Sequence, residues 1–581
     1  MADDRIKAPD EAEILISNKK ISSQKPYLIS TESLFSGKEY DITDYTISPS
    51  LTYPPSQDDL NSFASAINKE QFSSKVFVVT GKDDAIVNSV ESVEAEVYIL
   101  ANVMHLIRRP KSLVHTLVTL RKSTGYQRLI YTPGLGSPHN MALLAYCGVD
   151  LFDSVPLILN ARLGNYLTTQ GKIHKDEIQE DFCFCPSCIK KEKDYDSLLL
   201  HNYYASLSEL KIIRNAIHNG RLRELVESRM RSEPWMVSVL RILDIQYYSL
   251  VESNLPVTGG QFIAASNESL LRPEIVRFRK RLKDRYKKPP HKKVLLLLPC
   301  SAKKPYSFSR THKIFRRVIA ECGNRSVVHE VIITSPLGIV PRELELFYPA
   351  QHYDIPVTRM WSKDEIAMIG EGISEFLKIN EYEDIVIHLP GDYAFIKDFI
   401  SDCTITSFDS PTSSSSLEKL QKVLGEFVKP YEKVDRQTEQ RERMMNFARF
   451  QFGEAGCALV EGVVIKGRYP NLKIQKDKEQ LGMLVGERGL ISLTLEGGKI
   501  LAEQNAYWVK IHDFIPKGSI FAVGVEDSDK NIRIGDDVVV LREDELMGVG
   551  VAVMGPKEMV ESNRGEAVKI RHLVKFDEEK S

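Results

Sequence analysis

The stretch Leu298–Phe315, LPCSAKKPYSFSRTHKIF, decides the architecture expected for the middle of this chain. It begins at the end of an apolar run, Val294–Leu298, which predicts a buried strand. From Thr311 onward the apolar spacing is helical, so Ser309 or Thr311 is a candidate N-cap. A strand, a polar turn and a helix place the side chains of the turn at the carboxyl end of a strand, where open α/β sheets bind ligands.

This turn concentrates chemically reactive side chains, which predicts a catalytic role for Cys300, Lys304, Tyr306, Ser309 and His312. Cys300 directly follows the strand and lies close to two lysines and a helix start, surroundings that favour the thiolate form. The alternative is an ordinary strand-to-helix loop whose hydroxyls only cap the helix. Capping requires one hydroxyl and neither a thiol nor an imidazole, so we favour the pocket.

Two further predicted strands, Val328–Thr334 and Asp384–Leu389, also end in polar turns. Turns at the same ends of parallel strands converge on one crevice. We therefore expect substrate contacts from the turn residues Ser301, Ser335, Gly338, Asp354 and Tyr393. Asp392, in the Pro-Gly-Asp-Tyr turn, is a further catalytic candidate as a proton acceptor.

The pattern Pro-Cys-x3-Lys-Pro-Tyr-x2-Ser-x2-His, which runs from Pro299 to His312, resembles the core signature of archaeosine synthases, which are archaeal tRNA-modifying enzymes. The resemblance implies an α/β core similar to that of uracil-DNA glycosylases, which is an analogy of fold alone. It also implies that lysine is added to the nitrile of 7-cyano-7-deazaguanine in the D-loop of tRNA. The implied partners are tRNA and free lysine, with a downstream radical enzyme and a homodimer left open.

Two routes remain open for that reaction. In one, the Cys300 thiolate adds to the nitrile and lysine displaces it; in the other, Cys300 only packs and the amine attacks directly. In both, His312 is expected to carry protons near neutral pH, and Asp392 to accept a proton from the incoming ammonium.

A cluster of three cysteines predicts a metal centre upstream of this region. Cys183, Cys185 and Cys188 are followed after twelve residues by His201, and three thiolates with an imidazole complete a tetrahedral shell for structural Zn²⁺. His174 and His218 are alternative fourth ligands, and unmetallated thiols are the alternative to a metal site.

The segments Tyr131–His139 and Gly148–Pro156, together with this cluster, resemble the carboxyl half of tRNA-guanine transglycosylases, which are (β/α)8 barrels with a Cys3His zinc. In that resemblance Asp153 matches the nucleophile. The Asp-Ser-Gly-Gly-Phe-Gln segment that binds the base is absent, and about 125 residues precede the match, too few for the remaining strands. We therefore expect a degenerate barrel in which Asp153 is a relic nucleophile; genuine base exchange through Asp153 is the alternative.

A strongly basic stretch, LRPEIVRFRKRLKDRYKKPPHKK at residues 271–293, carries eleven Lys or Arg against two acids. It is expected to be a helix that ends in a Pro-Pro linker. Its charges are either a solvated face or a surface for phosphate contact.

From Ala506 the chain is rich in short strands separated by Gly-containing turns, which predicts a small β-barrel. Pro516-Lys-Gly-Ser, Ile534-Gly-Asp and Gly565-Glu-Ala-Val resemble the PUA domain, an RNA-binding barrel. The resemblance implies that residues 505–578 contact the tRNA acceptor end; a barrel used only for packing is the alternative.

Composition fits an α/β multidomain protein of the cytoplasm. The net charge is −2 over 581 residues, no apolar run approaches a membrane span, and the N-terminus lacks a basic start and an apolar core. Eight cysteines, three of them clustered, indicate a reducing compartment. We expect a transglycosylase-like degenerate barrel at 1–288, a catalytic α/β core at 289–428, an α/β segment before the PUA domain at 429–504 and the PUA barrel at 505–581. A non-catalytic tRNA-binding protein is the remaining alternative for function.

Overall fold

The computed structural model describes residues 95–125, 128–356, 360–407 and 410–575, together with six short strands before residue 95. The chain forms two compact units. The first comprises residues 1–255 with the short segments 521–523 and 557–565, and the second comprises 256–520, 524–556 and 566–581. The four-domain division expected from the sequence stays a prediction.

The first unit contains a five-stranded parallel sheet, as the alternation of apolar runs and helices predicts. Its strand order is β3-β9-β8-β7-β6, and the pairs in this sheet are parallel. The strands of this unit are β1 Glu13–Ile16, β2 Lys19–Ser22, β3 Tyr27–Ile29, β4 Tyr40–Ile42, β5 Tyr45–Ile47, β6 Val76–Val79, β7 Val97–Leu100, β8 Leu129–Tyr131, β9 Leu151–Asp153, β10 Asn165–Thr168 and β11 Gly171–His174.

Helices of the first unit bury their apolar sides in one continuous core. Leu113, Leu117 and Leu120 of the second helix recur at helical spacing and are fully buried. The helices are α1 Val103–Leu106, α2 Pro110–Thr124, α3 Met141–Tyr146, α4 Val155–Arg162, α5 Tyr195–His218, α6 Leu222–Arg229, α7 Pro234–Gln246 and α8 Tyr248–Ser253.

The second unit is built around a five-stranded sheet of order β15-β14-β13-β17-β18. Strand β13 pairs in parallel with both β14 and β17, so the carboxyl ends of three strands lie at one edge. The elements up to residue 427 are β12 Phe262–Ile263, α9 Pro273–Arg285, β13 Val294–Pro299, α10 Arg310–Glu321, β14 Val328–Thr334, β15 Gly338–Pro341, β16 Tyr353–Asp354, α11 Lys363–Ile379, β17 Asp384–Ile387, β18 Thr404–Ile405 and α12 Ser414–Phe427.

Alternate residues of β13 explain how this sheet holds its helices. Val294, Leu296 and Leu298 face one side and pack against Phe315 of α10 and Leu420 of α12. Burying such aliphatic and aromatic side chains contributes about 1.5–3 kcal/mol each. This packing fixes the start of α10, and therefore the turn before it, against the sheet.

The basic stretch forms α9, but its charges are neither simply solvated nor free for phosphate. Arg277 donates to the carbonyl of Pro256, and Arg285 donates to the carbonyls of Phe450 and Gln451. Burial lowers the pKa of Arg281 to about 10. One side of this helix is therefore packed inside the second unit, with Arg277 and Arg285 bonded to backbone oxygens.

Later parts of the second unit continue with the predicted α/β segment and the β-rich region. The elements from residue 436 onward are α13 Arg436–Phe452, α14 Ala455–Ala458, β19 Val464–Arg468, β20 Asn471–Lys476, β21 Glu479–Val485, β22 Leu490–Leu493, α15 Leu495–Glu503, β23 Trp508–Ile511, β24 Ile520–Phe521, β25 Val525–Ser528, β26 Asp537–Arg542, β27 Glu545–Ala552, α16 Pro556–Glu561 and β28 Glu566–Leu573. Of these, Phe521 and residues 557–561 of α16 are counted with the first unit. Four of the strands pair in the order β28-β27-β26-β23, with β25 at the edge. A short turn at Ala522–Gly524 separates β24 from β25.

The segment 429–504 packs tightly on the core that precedes it. Gly489 has φ +64, and a Cβ there would lie 1.9 Å from the carbonyl oxygen of Leu346, so a larger residue does not fit. The amide of Gln351 donates to the carbonyl of Gly486 at 3.2 Å.

Among the described helices, none has the length and apolar character needed to cross a membrane.

Candidate active site and metal centre

Cys300 directly follows β13, at the edge where three parallel strands end. Its Sγ lies 3.9 Å from the hydroxyl of Tyr393, which comes from the turn after β17. The crevice expected from the sequence therefore brings these two turns together. Burial and the charge of a Cys300 thiolate both raise the pKa of Tyr393, so the phenol stays protonated and can donate to sulfur.

A chain of three buried hydroxyls runs beside the thiol. The hydroxyl of Tyr353 lies 2.6 Å from that of Tyr306 and 2.5 Å from that of Thr334. Thr334 ends β14, so these hydrogen-bonded hydroxyls join the end of β14 to the turn after β13. Burial is the main cause that raises the pKa of both phenols, and the chain therefore consists of neutral donors and acceptors.

Lys304 is held over an aromatic face within this cluster. Its ammonium lies 3.9 Å from the centroid of the Tyr353 ring, within the range of a cation–π contact. Burial lowers the pKa of Lys304, and the charges of Cys300 and Asp354 oppose that effect. A lysine with a lowered pKa is deprotonated more readily near neutral pH, so this amine is suited to proton transfer.

An aromatic wall completes the crevice beside Tyr393. The ring of Trp361 lies 4.8 Å from that of Tyr393 and 5.5 Å from that of Phe395, in edge-on arrangements. Its buried Nε1 has no acceptor among the described residues. Sequence reasoning missed both Trp361 and Tyr353; the available signal was an aromatic residue within or just after the polar loop at 349–354.

Several predicted site residues have local structural roles. Ser309 is the N-cap of α10 and accepts from the backbone N–H of His312 at 3.2 Å, which confirms one of the two predicted caps. Half-buried Ser301 donates to the carbonyl of Lys303. Ser335 is buried, and its carbonyl accepts from Thr334.

Of the remaining predicted turn residues, Gly338 has a structural role, and Asp392 and Asp354 act through their charges on Tyr393 and Lys304. Gly338 has φ +81 and begins β15, and a Cβ there would lie 3.5 Å from Met368. It therefore shapes the turn against α11. Asp392 is half-buried, and its charge contributes to raising the pKa of the neighbouring Tyr393. Asp354 lies close enough to Lys304 to act on the charge of its ammonium.

His312 lies beneath the turn as a neutral ring. Its Nδ1 accepts from the guanidinium of Arg342 at 2.7 Å, and burial together with that charge lowers its pKa to about 3. A proton carrier near neutral pH needs a pKa close to 7. The role expected for His312 from the sequence therefore does not fit, and the ring instead supports the turn.

Arg342 organises the buried side of the same turn. It pairs with Glu330 at 2.7 Å and with Glu345 at 3.1 Å. Glu345 is fully buried and accepts from the backbone N–H of Ser307 at 2.9 Å and from the hydroxyl of Tyr469 at 2.7 Å. These bonds fix the backbone between Tyr306 and Ser309.

The first unit holds the predicted metal ligands together. The ligand atoms of Cys183, Cys185, Cys188 and His201 all lie within 4.8 Å of one another. The Nε2 of His201 donates to the carbonyl of Leu167 at 3.1 Å, which leaves Nδ1 toward the sulfurs. That Nδ1 lies 3.3 Å from the Sγ of Cys188. The donor set therefore fits a metal ion.

The two alternative histidines are engaged elsewhere. His174 caps a short turn through its Nδ1, which accepts from the backbone N–H of Asp176. His218 lies at the end of α5 and is exposed. Of the three candidates, His201 is the fourth member of the cluster.

Asp153 is fully buried and saturated with hydrogen bonds. Its carboxylate accepts from the hydroxyl of Tyr131 at 2.8 Å and from the backbone N–H groups of Gly134 at 2.7 Å and Val155 at 2.8 Å. Burial raises its pKa to about 6, and the three donors oppose that rise. These three bonds fix the orientation of the carboxylate, and its role as a relic nucleophile stays a prediction.

Comparison with known protein families matches three segments. Residues 76–234 match the queuine tRNA-ribosyltransferase family, 275–424 match a domain of unknown function, and 510–574 match the PUA domain. The transglycosylase-like region, the core and the C-terminal PUA domain thus follow the order predicted from the sequence.

Curated relatives extend over most of the chain. The archaeosine synthase subunit alpha of Methanosarcina acetivorans is 37% identical over 91% of this chain and 88% of its own length. The archaeosine synthase of Haloferax volcanii is 36% identical, with 82% of each chain covered. The archaeosine synthase subunit alpha of Thermoplasma acidophilum is 33% identical over 81% of this chain and 87% of its own. The chain therefore belongs to the archaeosine synthase family of tRNA-modifying transferases.

Proposed function

We propose that this chain attaches lysine to the nitrile carbon of 7-cyano-7-deazaguanine that is already part of tRNA. The observation that carries the proposal is the convergence of Cys300, Lys304 and Tyr393 at the ends of parallel strands. An amine with a lowered pKa and a phenol can move the protons that amine addition to a nitrile requires, and a thiol can serve as the nucleophile of a covalent route.

In the covalent route the Cys300 sulfur adds to the nitrile carbon, and the thiol proton passes to the nitrile nitrogen. The lysine amine then adds to the resulting thioimidate, the sulfur leaves, and an amidine remains. Lys304 accepts the proton that the incoming ammonium must lose, with Asp392 as the second candidate. Tyr393, 3.9 Å from the sulfur, orients the thiol and donates toward the nitrile nitrogen.

In the direct route the amine attacks the nitrile without a bond to Cys300. Lys304 and Tyr393 keep the same roles, and Cys300 only packs against the reacting base. Both routes need the base outside the helical stack, which costs a few kcal/mol. The aromatic wall of Trp361 and Tyr393 offers a surface against which the base can lie.

The cysteine cluster of the first unit is proposed to hold Zn²⁺. Three thiolates and one imidazole are a preferred tetrahedral donor set for zinc, and four protein ligands leave no position for substrate. We therefore assign the metal a structural role.

The partners proposed for this reaction are tRNA and free lysine, with a downstream radical enzyme to complete archaeosine and a homodimer as a further proposal. A tRNA substrate agrees with the cytoplasmic location expected from composition. The PUA domain at 510–574 supports RNA binding at the C-terminal end of the chain.

One incubation tests the proposal against its two rivals. Purified protein is mixed with labelled lysine and tRNA that carries the nitrile base, with tRNA that carries guanine as the control. Label in the first tRNA alone supports lysine transfer. Release of a base, or exchange of labelled guanine, supports a transglycosylase, and binding without either reaction supports a non-catalytic tRNA-binding protein.

A further inference from the structure

Two adjoining cavities in the second unit lie between helices α10 and α13. Their volumes are about 410 and 720 Å³, and they share Arg316, Arg436, Arg443 and Tyr469 among their lining residues. Neither lining includes Cys300, Lys304 or any of the three residues of the hydroxyl chain. We call this concave surface the basic groove, and define it by Phe308, Arg316, Arg325, Arg436 and Arg443.

The groove carries an excess of positive charge. The smaller cavity is lined by six guanidinium or ammonium groups and three carboxylates. The cations are Lys292, Arg316, Arg325, Arg342, Arg436 and Arg443. On a chain whose net charge is −2, such a local surplus marks a surface suited to an anion.

The three carboxylates are already engaged. Glu330 pairs with Arg342 at 2.7 Å, and Glu343 is bonded to a buried tyrosine and a buried histidine. Glu439 faces the ammonium of Lys292 at 3.9 Å. These contacts use two of the cations and leave the others to the groove.

Four arginines remain without a carboxylate partner within ion-pair distance in the part of the chain that the structure describes: Arg316, Arg325, Arg436 and Arg443. Arg316, Arg325 and Arg436 are exposed, so their forks face solvent. Unpaired guanidinium groups that line one concavity match the oxygens of phosphate groups, which arginine binds in bidentate fashion.

A stacked pair of aromatic rings lies beside these arginines. Phe308 is 37% exposed and stacks on Tyr469, with ring centroids 6.3 Å apart and an interplanar angle of 25°. The guanidinium of Arg443 lies 5.3 Å from the centroid of the same tyrosine ring. Behind them, Met444, Phe447, Leu472 and Leu484 give the larger cavity an apolar floor.

We propose that the basic groove binds an unpaired stretch of the tRNA backbone, with phosphates on the arginines and one base stacked on Phe308. The combination of a positive groove and an exposed aromatic ring is the arrangement that binds single-stranded nucleic acid without reading sequence. This interaction rests on the proposed tRNA substrate and is additional to the PUA domain. It holds the RNA on the same unit that carries Cys300.

The test measures tRNA affinity of the full-length protein across a series of salt concentrations. The double variant Arg436→Gln/Arg443→Gln should weaken binding and make the dependence of log Kd on log salt shallower by about 0.7 for each phosphate that is no longer neutralised. Phe308→Leu should weaken binding about tenfold and leave the salt slope unchanged, because stacking releases no counterion. Arg317→Gln is the matched control, since Arg317 is an exposed arginine of α10 that lines neither cavity.

A double variant with the affinity and slope of the wild type would overturn the proposal. A second result would also overturn it: pyrophosphate raises the Tm of the wild type and not that of the double variant, while both proteins show the same dependence of log Kd for tRNA on log salt. The groove would then bind a small phosphorylated molecule and not tRNA. Thermal unfolding of each variant confirms that it is folded. Lysine transfer is measured separately with the wild type, so failure of the proposed reaction leaves the binding result interpretable.

Discussion

Replacing Cys300 by Ala separates the covalent from the direct route. The thiol is half-buried, and its polar contact is the 3.9 Å approach to Tyr393, so its removal leaves a small gap and no buried charge. Losing such packing costs at most about 1 kcal/mol, which corresponds to about fivefold in rate. Losing a nucleophile costs about 4 kcal/mol or more, which is a thousandfold. The two expectations differ by more than two orders of magnitude.

The assay is a single turnover of labelled lysine onto tRNA that carries the nitrile base, with thermal unfolding of each protein. Cys403→Ala is the control, because Cys403 is a half-buried thiol of the same unit outside the crevice. Mass spectrometry of the wild type mixed with the modified tRNA in the absence of lysine should find an adduct on Cys300. A Cys300→Ala rate within fivefold of the wild type, with unchanged Tm, would refute the covalent route.

Three further predictions concern other parts of the structure. Cys183→Ser should lower bound zinc, measured by elemental analysis, and lower Tm; wild-type protein without stoichiometric metal would contradict the metal site. Asp153→Asn should lower the free energy of unfolding by about 1–3 kcal/mol, because a buried donor loses its acceptor, and should leave lysine transfer largely intact; a large loss of transfer in a folded variant would show that this carboxylate is catalytic. Stability should fall as pH decreases from about 6.5 toward 3, because the unfolded chain takes up a proton on His312 that the folded chain excludes. His312→Gln should make denaturant-derived stability depend less on pH in that range, and an identical dependence would contradict the neutral ring.

The strand, turn and helix around Cys300 were predictable because their signals are local. An apolar run, a cap three residues before its partner and a fixed pattern of reactive side chains all lie within 19 residues, from Val294 to His312. The metal ligands were predictable for the same reason, since short cysteine spacing folds sulfurs around one point. The hydrogen bond that orients His201 toward the sulfurs goes to the carbonyl of Leu167, 34 residues earlier in the chain. No local sequence pattern shows that contact, so His174 and His218 remained alternatives until the structure was known.

The errors have a common cause. Composition predicts a charged surface at residues 271–293, yet Arg277 and Arg285 point at backbone carbonyls from distant segments. The pKa of His312 is likewise lowered by burial and by the charge of Arg342, which lies 30 residues further along the chain, so no local sequence pattern reveals it. Sequence patterns count charges, whereas pKa values depend on burial and on which groups lie opposite.

The buried contacts of Glu345 explain why the core and the following α/β segment form one unit. This carboxylate holds the backbone of Ser307 in the catalytic turn, and it also accepts from Tyr469, which lies in the hairpin between β19 and β20. Because Glu345 is fully buried and paired with Arg342, removing that arginine leaves a buried carboxylate without its counter-charge, at a cost of about 3–5 kcal/mol. The geometry of the turn that follows Cys300 therefore depends on a segment more than 160 residues further along the chain. The same hairpin contributes Tyr469 to the basic groove, so the groove and the turn that follows Cys300 share this residue.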